Sequence, residues 1–267
     1  MSSRARSFTM PARQAGFTMV EVLIAGVLGL VLLAGVGELF LGSSATFRMQ
    51  RQIADIQDSG RFAMWFLKND IERAGWFVGG GPVGAVALEV FPAPGIIASV
   101  AGVDGGGNVS DQLTVAYEST VPGTDCNGSA VGAVVQNLYF VDGNRQLVCT
   151  GNGGATQPLV SNVDSLQVLY GIDVSIPPEV IAADRCSDRA VDQFVLASGL
   201  TGNEVIVAIR FSLLIGGETN SSVPATNRVY QVADRSIAFN DQIIRRVFTL
   251  TTAIKNVAPI ANPCPTS

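Results

Sequence analysis

Hydrophobic residues are unevenly distributed along this chain of 267 residues, with one long apolar run near the amino terminus. The run begins abruptly at Phe17 and continues to Leu41, while residues 1–16 carry three arginines and no acid. A helix of this length crosses the ~30 Å hydrocarbon layer of a membrane. A secretory signal peptide is the alternative, but its apolar region usually has about 7–15 residues. The pattern predicts a membrane span over residues 17–42, with the basic end in the cytoplasm.

Helical periodicity continues beyond the apolar run. No proline interrupts residues 17–81, so one helix is predicted from about Phe17 to Gly75. Small and apolar residues recur at intervals of three or four and predict a narrow buried seam, formed by Ile53, Ile56, Gly60, Ala63, Leu67, Ile71 and Ala74. The aromatic residues of this region are expected in the core as well: Phe47, Phe62, Trp65, Phe66 and Trp76.

After Trp76, loops rich in glycine alternate with short β-type runs. The runs cover residues 86–91, 112–117, 131–141, 159–170, 191–196, 205–214 and 245–254. Asp142-Gly143 between two of them predicts a hairpin. The expected fold class is α+β, in which the second half of the long helix packs against a mainly antiparallel β head. The expected parts are residues 1–16, a helix over 17–77 and a head over 78–267.

Composition narrows the possible functions. The chain has no histidine, which removes the commonest general base and the commonest metal ligand. Its net charge of −5 argues against general nucleic-acid binding, which requires a basic face. Arg245-Arg246 is interpreted as a solvated pair on a strand. No cofactor, metal site or catalytic residue is predicted.

The four cysteines, Cys126, Cys149, Cys186 and Cys264, are dispersed and form no CxxC pair. This spacing favours two disulfides in an oxidising compartment over a zinc site. Three pairings are possible. Cys126–Cys149 with Cys186–Cys264 is preferred, because the first pair flanks the predicted hairpin.

Glu21 lies just inside the apolar run, where an unpaired carboxylate is costly. The surrounding sequence, RQAGFTMVE over residues 13–21, resembles the class III leader of type IV prepilins and pseudopilins. The resemblance implies that a prepilin peptidase cuts after Gly16 and that Phe17 is then N-methylated. It also implies that Glu21 pairs with a terminal amine in the filament. A second acid, Glu38, either lies at the outer interface or pairs within the filament.

Several later segments resemble the PilW family of minor pilins, in order and spacing. They are residues 60–63 and 70–75, 110–115, 162–171, 207–214 and 245–256. The resemblance implies a non-enzymatic subunit of the bacterial inner membrane, with its head in the periplasm and later in the pilus. It would promote pilus assembly in a tip complex, with other minor pilins, the major pilin and prepilin peptidase as partners. Three alternatives remain: a pseudopilin J-like secretion component, a tip adhesin and a membrane-anchored periplasmic enzyme.

The leader motif generates a direct prediction. Replacing Gly16 by alanine adds a methyl group at the proposed cleavage point, so the precursor should accumulate uncut in the membrane. Immunoblotting distinguishes it from a product shorter by sixteen residues. Gly26→Ala, inside the apolar run, is the control and should be processed normally. Normal incorporation of Gly16→Ala into filaments would contradict the assignment.

Overall fold

The computed structural model describes residues 16–75, 96–99, 110–119, 123–132, 134–173, 190–200, 205–219 and 224–256. The chain divides into two units, residues 1–50 and 51–267. One long helix, α1 (Met19–Arg73), contributes to both units. Antiparallel sheets follow it, so the predicted α+β class, with one long amino-terminal helix and a mainly antiparallel β part, is confirmed. Cys186, Cys264, Trp76 and the predicted strand over 86–91 lie outside the described residues.

In the first unit, α1 is apolar on all sides. By length and composition it can cross a membrane, and none of its most apolar stretch is buried by the residues that the structure describes. Leu23 and Leu32, for example, are 64% and 70% exposed. Apolar surface of this extent is not left in water by a stable protein. It must therefore be covered by lipid or by other protein chains.

In the second unit, α1 buries the predicted seam. Ile56, Gly60, Ala63, Leu67, Ile71 and Ala74 are buried, and only Ile53 of the predicted set is exposed. Gly60 marks the closest approach, because a Cβ atom there would overlap the ring of Phe248. The absence of a side chain at Gly60 therefore lets the helix lie directly on the sheet.

The first sheet contains five antiparallel strands in the order β1-β2-β3-β4-β5. They are β1 (Ile96–Ser99), β2 (Gln112–Glu118), β3 (Val134–Val141), β4 (Gln146–Gly151) and β5 (Thr156–Ser161). The predicted hairpin joins β3 to β4. Its turn closes when the Asp142 amide donates to the Gln146 carbonyl at 2.9 Å, while the Asp142 carboxylate accepts from the amides of Asn144 and Gln146.

The second sheet has the order β11-β8-β6-β7, and a separate ribbon pairs β9 with β10. The bounds are β6 (Val163–Asp173), β7 (Gln193–Val195), β8 (Val205–Thr219), β9 (Thr226–Val232), β10 (Arg235–Asp241) and β11 (Ile243–Ala253), with a short 3-10 helix at Ala197–Gly199. Strand β8 is buried on both faces. Leu213 belongs to the main core with α1, whereas its neighbour Leu214 packs in a small second core with Val232 and Ile237.

Two features of the sheets differ from the sequence prediction. The apolar run over 159–170 is not one strand, because Asn162 adopts a left-handed conformation (φ 61°) and the chain passes there from the first sheet to the second. Asparagine tolerates this conformation better than most residues. The ribbon of β9 and β10 was not predicted, because its turn at Ala233-Asp234 contains no glycine or proline.

The prediction that the aromatic residues of α1 lie in the core was wrong for three of the four that are described. Phe47, Phe62 and Trp65 are 64%, 45% and 60% exposed. Phe66 alone packs against the core, with its ring edge-on to Tyr139. The seam of small and aliphatic residues already fills the space between helix and sheet, so the larger rings remain outside.

The solvated arginine predicted at position 245 was also wrong. Arg245 is buried. It donates one hydrogen bond to Asp164 and two to Asp241, and each bond measures 2.7 Å. Asp164 also accepts from Arg145 in the β3–β4 turn. This chain of charges links the hairpin of the first sheet to β6, β10 and β11. Arg246, in contrast, is exposed.

The fit of helix to sheet at Gly60 can be tested by adding one methyl group. Gly60→Ala should destabilise the folded head by about 1–3 kcal/mol, because Phe248 must move out of its position. Thermal unfolding of the detergent-solubilised chain measures the loss. Gly132→Ala is the matched control, since a Cβ at that exposed glycine meets no atom within 4 Å. Equal melting temperatures for the two variants would contradict the close packing.

Candidate functional site: the amino-terminal segment and the anchor of the helix

The start of α1 is capped by Thr18. Its side-chain oxygen accepts the Glu21 amide at 3.3 Å, and its carbonyl accepts the amides of Glu21 and Val22. Thr18-Met19-Val20-Glu21 thus has the Thr-x-x-Glu spacing of a capping box. Glu21 lies in the first turn, where the positive end of the helix dipole favours a carboxylate.

Gly16 and Phe17 precede the helix and are exposed. The peptide bond between them therefore lies in non-helical backbone, which a peptidase can bind in an extended form. No lysine or arginine occurs anywhere from residue 16 to residue 47. The carboxylate of Glu21 consequently has no side-chain cation on its own stretch of helix. A cation that meets it in an apolar setting must come from a chain end or from another molecule.

The opposite end of α1 is tied to the head by the segment after β11. The side-chain Nδ2 atom of Asn256 donates to the carbonyl oxygens of Glu72, Arg73 and Ala74 at 3.1–3.3 Å. These carbonyls have no partner within a helix, so a side chain that reaches them acts as a cap. Gly75 then leaves the helix with φ 73°, and its amide donates to the Ala116 carbonyl of β2.

Asp70 is the polar centre of the interface between helix and sheet. It is 6% exposed, and its Oδ2 atom accepts from the Tyr139 hydroxyl at 2.7 Å and from Asn137 Nδ2 at 2.9 Å. Burial raises the pKa of Asp70 above its ordinary value, and the hydrogen bonds from Asn137 and Tyr139 oppose the shift. Burial also raises the pKa of Tyr139. The cluster therefore fixes the rotation of α1 on the sheet through polar contacts as well as packing.

Asn137 connects this cluster to the disulfide. Its side-chain oxygen accepts from the Cys126 amide at 2.9 Å, and Cys126 is bonded to Cys149 of β4. The preferred pairing of these two cysteines is confirmed. Asp125 organises the same loop, since its carboxylate accepts from the amides of Asn127, Ser129 and Gly153. The loop before β3 is thus held by a covalent bond and by buried polar groups.

Two family models match the sequence. One, described as "Type IV Pilus-assembly protein W" (PilW), matches residues 129–256. The other, "Prokaryotic N-terminal methylation motif", matches residues 11–37. The chain is thus similar to the PilW family over 128 of its 267 residues, and it carries a prepilin-type methylation motif at its amino terminus. The methylation motif indicates processing by a prepilin peptidase and anchoring in a membrane.

One solved structure similar to this chain is the type IV-like pilin TTHA1219 from Thermus thermophilus. The two share 15% identity with a TM-score of 0.45, over 76% of this chain and 98% of that one. No curated protein matches the sequence significantly.

The predicted site residues that the structure describes fall in two separate places. Gly16, Phe17 and Glu21 lie together at the start of α1, within the methylation motif. Cys126 and Cys149 form a disulfide beside Asn137, which binds Asp70 of the helix. Sequence reasoning missed Asp70, although it occurs three residues after Leu67 and therefore on the buried face. It also missed Asn256, whose partners are more than 180 residues away.

The buried cluster of Asp70, Asn137 and Tyr139 leads to a prediction about pH. Because the folded-state pKa of Asp70 is raised above 3.8, the folded chain binds that proton more tightly than the unfolded chain. The stability that Asp70 contributes is complete at low pH and is lost as pH rises through the folded-state pKa. Wild type should therefore gain stability relative to Asp70→Asn between pH 7 and pH 4.5.

Thermal unfolding of both chains at the two pH values measures this difference. Asp58→Asn, at an exposed position of the same helix, is the control and should track wild type at both values. If the melting temperature of wild type relative to that of Asp70→Asn stays constant or falls towards pH 4.5, the fold does not favour the protonated form of Asp70.

Proposed function

We propose that this PilW-family chain is a minor pilin that helps to initiate type IV pilus assembly, within a complex at the filament tip. The observation that carries the proposal is the first unit of the molecule. No described part of the chain covers its apolar helix, which follows a prepilin-type leader. A surface of this kind suits a subunit that is stored in a membrane and later packed among similar helices.

Leader removal is the step that makes assembly possible in this proposal. Cleavage after Gly16 converts the Phe17 nitrogen from a neutral amide into an amine, which remains protonated after N-methylation. The amine is delivered to the carboxylate of Glu21, in its own or a neighbouring subunit. Pairing then offsets the cost of taking that carboxylate out of water.

The proposed location is the inner membrane, with a single span over residues 17–42 and the head over 78–267 in the periplasm, before transfer to the pilus. The disulfide between Cys126 and Cys149 supports an oxidising compartment for the head. The proposed partners are prepilin peptidase, other minor pilins and the major pilin. The role is structural rather than enzymatic, as expected of a pilin family.

Deletion of the gene tests the proposal. Cells that lack the chain should have few or no pili by electron microscopy, while type II secretion continues. Wild-type complementation should restore pili. Glu21→Gln should restore them poorly, because the amine then meets no carboxylate, and Asp58→Asn in the exposed face of the helix should restore them fully.

Other outcomes identify the rivals. Loss of secretion with intact pili would favour a pseudopilin J-like role. Intact pili that no longer attach to surfaces would favour a tip adhesin. Hydrolytic turnover by the purified wild-type chain would favour an enzyme.

A further inference from the structure

Glu38 is an acid that the proposed function does not use. It is the only charged residue between Glu21 and Arg48, and it lies in the middle of continuous helix. The side chain is exposed in the first unit. It also lies one residue beyond the matched methylation motif and well before the matched PilW region. An acid in a membrane-length helix calls for a specific partner.

The spacing of the two acids explains how the membrane tolerates them. Glu21 and Glu38 are 17 residues apart, which corresponds to about 26 Å along a helix. The hydrocarbon layer is about 30 Å thick. Both carboxylates can therefore lie near the two interfaces of the bilayer, where a charge costs little. The carboxylates lose these positions near the bilayer interfaces when the helix leaves the lipid.

In a filament, the apolar surface around Glu38 has to be covered by protein. Ala34, Gly35 and Gly42 lie within about 60° of Glu38 around the helix, at positions i−4, i−3 and i+4. A Cβ at either glycine meets no atom within 4 Å, so these glycines are not needed for packing within the chain. Another chain can consequently approach this face closely, and the carboxylate then needs a counter-charge from it.

We infer that Glu38 binds the amino-terminal ammonium of a second processed pilin, farther along the filament than the one that meets Glu21. The inference rests on the proposed function. Charge complementarity selects this occupant, since a processed chain of this layout offers only one cation before Arg48, namely its chain end. Two carboxylates about 26 Å apart on one helix would thus bind the amino-terminal ammonium groups of two subunits. These subunits would be displaced by different distances along the filament.

The first test measures incorporation into sheared pili. Glu38→Gln should be inserted and lose its leader like wild type, yet its amount in pili should fall about tenfold, equivalent to about 1.4 kcal/mol. Glu38→Asp should recover most of this loss, and Asp55→Asn, at an exposed acid beyond the apolar run, should assemble normally. Normal incorporation of Glu38→Gln would overturn the inference, as would a failure of its insertion or leader removal.

The second test identifies the occupant. A photo-crosslinking amino acid at Leu41 probes the face of Glu38 without removing the acid, and one at Phe40 probes the opposite face. In sheared pili, the Leu41 probe should couple to the first residues of another pilin, and the Phe40 probe should not. Coupling of the Leu41 probe to lipid, to the Arg48 region of a neighbour or to a head would overturn the inference. Absence of the wild-type chain from pili would instead contradict the proposed function.

Discussion

A carboxylate on an apolar helix must find a positive charge when it leaves water, and the amino-terminal half of α1 carries two such carboxylates, Glu21 and Glu38. Glu21 lies in the first turn of a helix that has no lysine or arginine from its start to residue 47. The positive end of the helix dipole reduces the cost of the charge but supplies no full cation. In the proposed function, cleavage of the leader after Gly16 would supply one, because the cut creates an amine.

The carboxyl-terminal half of the helix differs, because contacts within the chain hold it to the head. Here the acid is Asp70, and its partners are already present in the fold as Asn137 and Tyr139. Asn256 closes the end of the helix from the far end of the chain. Asp70 thus has partners within the fold, whereas Glu21 and Glu38, in the apolar part of the same helix, are exposed. This division matches the two units of the molecule, one packed internally and one whose apolar surface is exposed.

Local periodicity was sufficient to predict most of the fold. The seam of α1 and the β3–β4 hairpin depend on residues close in sequence, and both were found where the pattern placed them. The polar contacts were not predictable in this way. Arg245 with Asp164, and Asn256 with the helix end, join residues separated by 81 or more positions, and nothing local distinguishes them from solvated side chains. Exposure of Phe62 and Trp65 was missed for a related reason, because hydrophobicity does not report how much space the sheet leaves.

The most direct measurement is mass spectrometry of the amino-terminal peptide of the chain isolated from native pili. This peptide is expected to begin at Phe17 and to carry one N-methyl group, so that a positive chain end exists beside Glu21. A peptide that begins at Met1, or at a residue near 38, would contradict it. In the first case the Phe17 amine would never form, and in the second the helix would lose the acid that needs it.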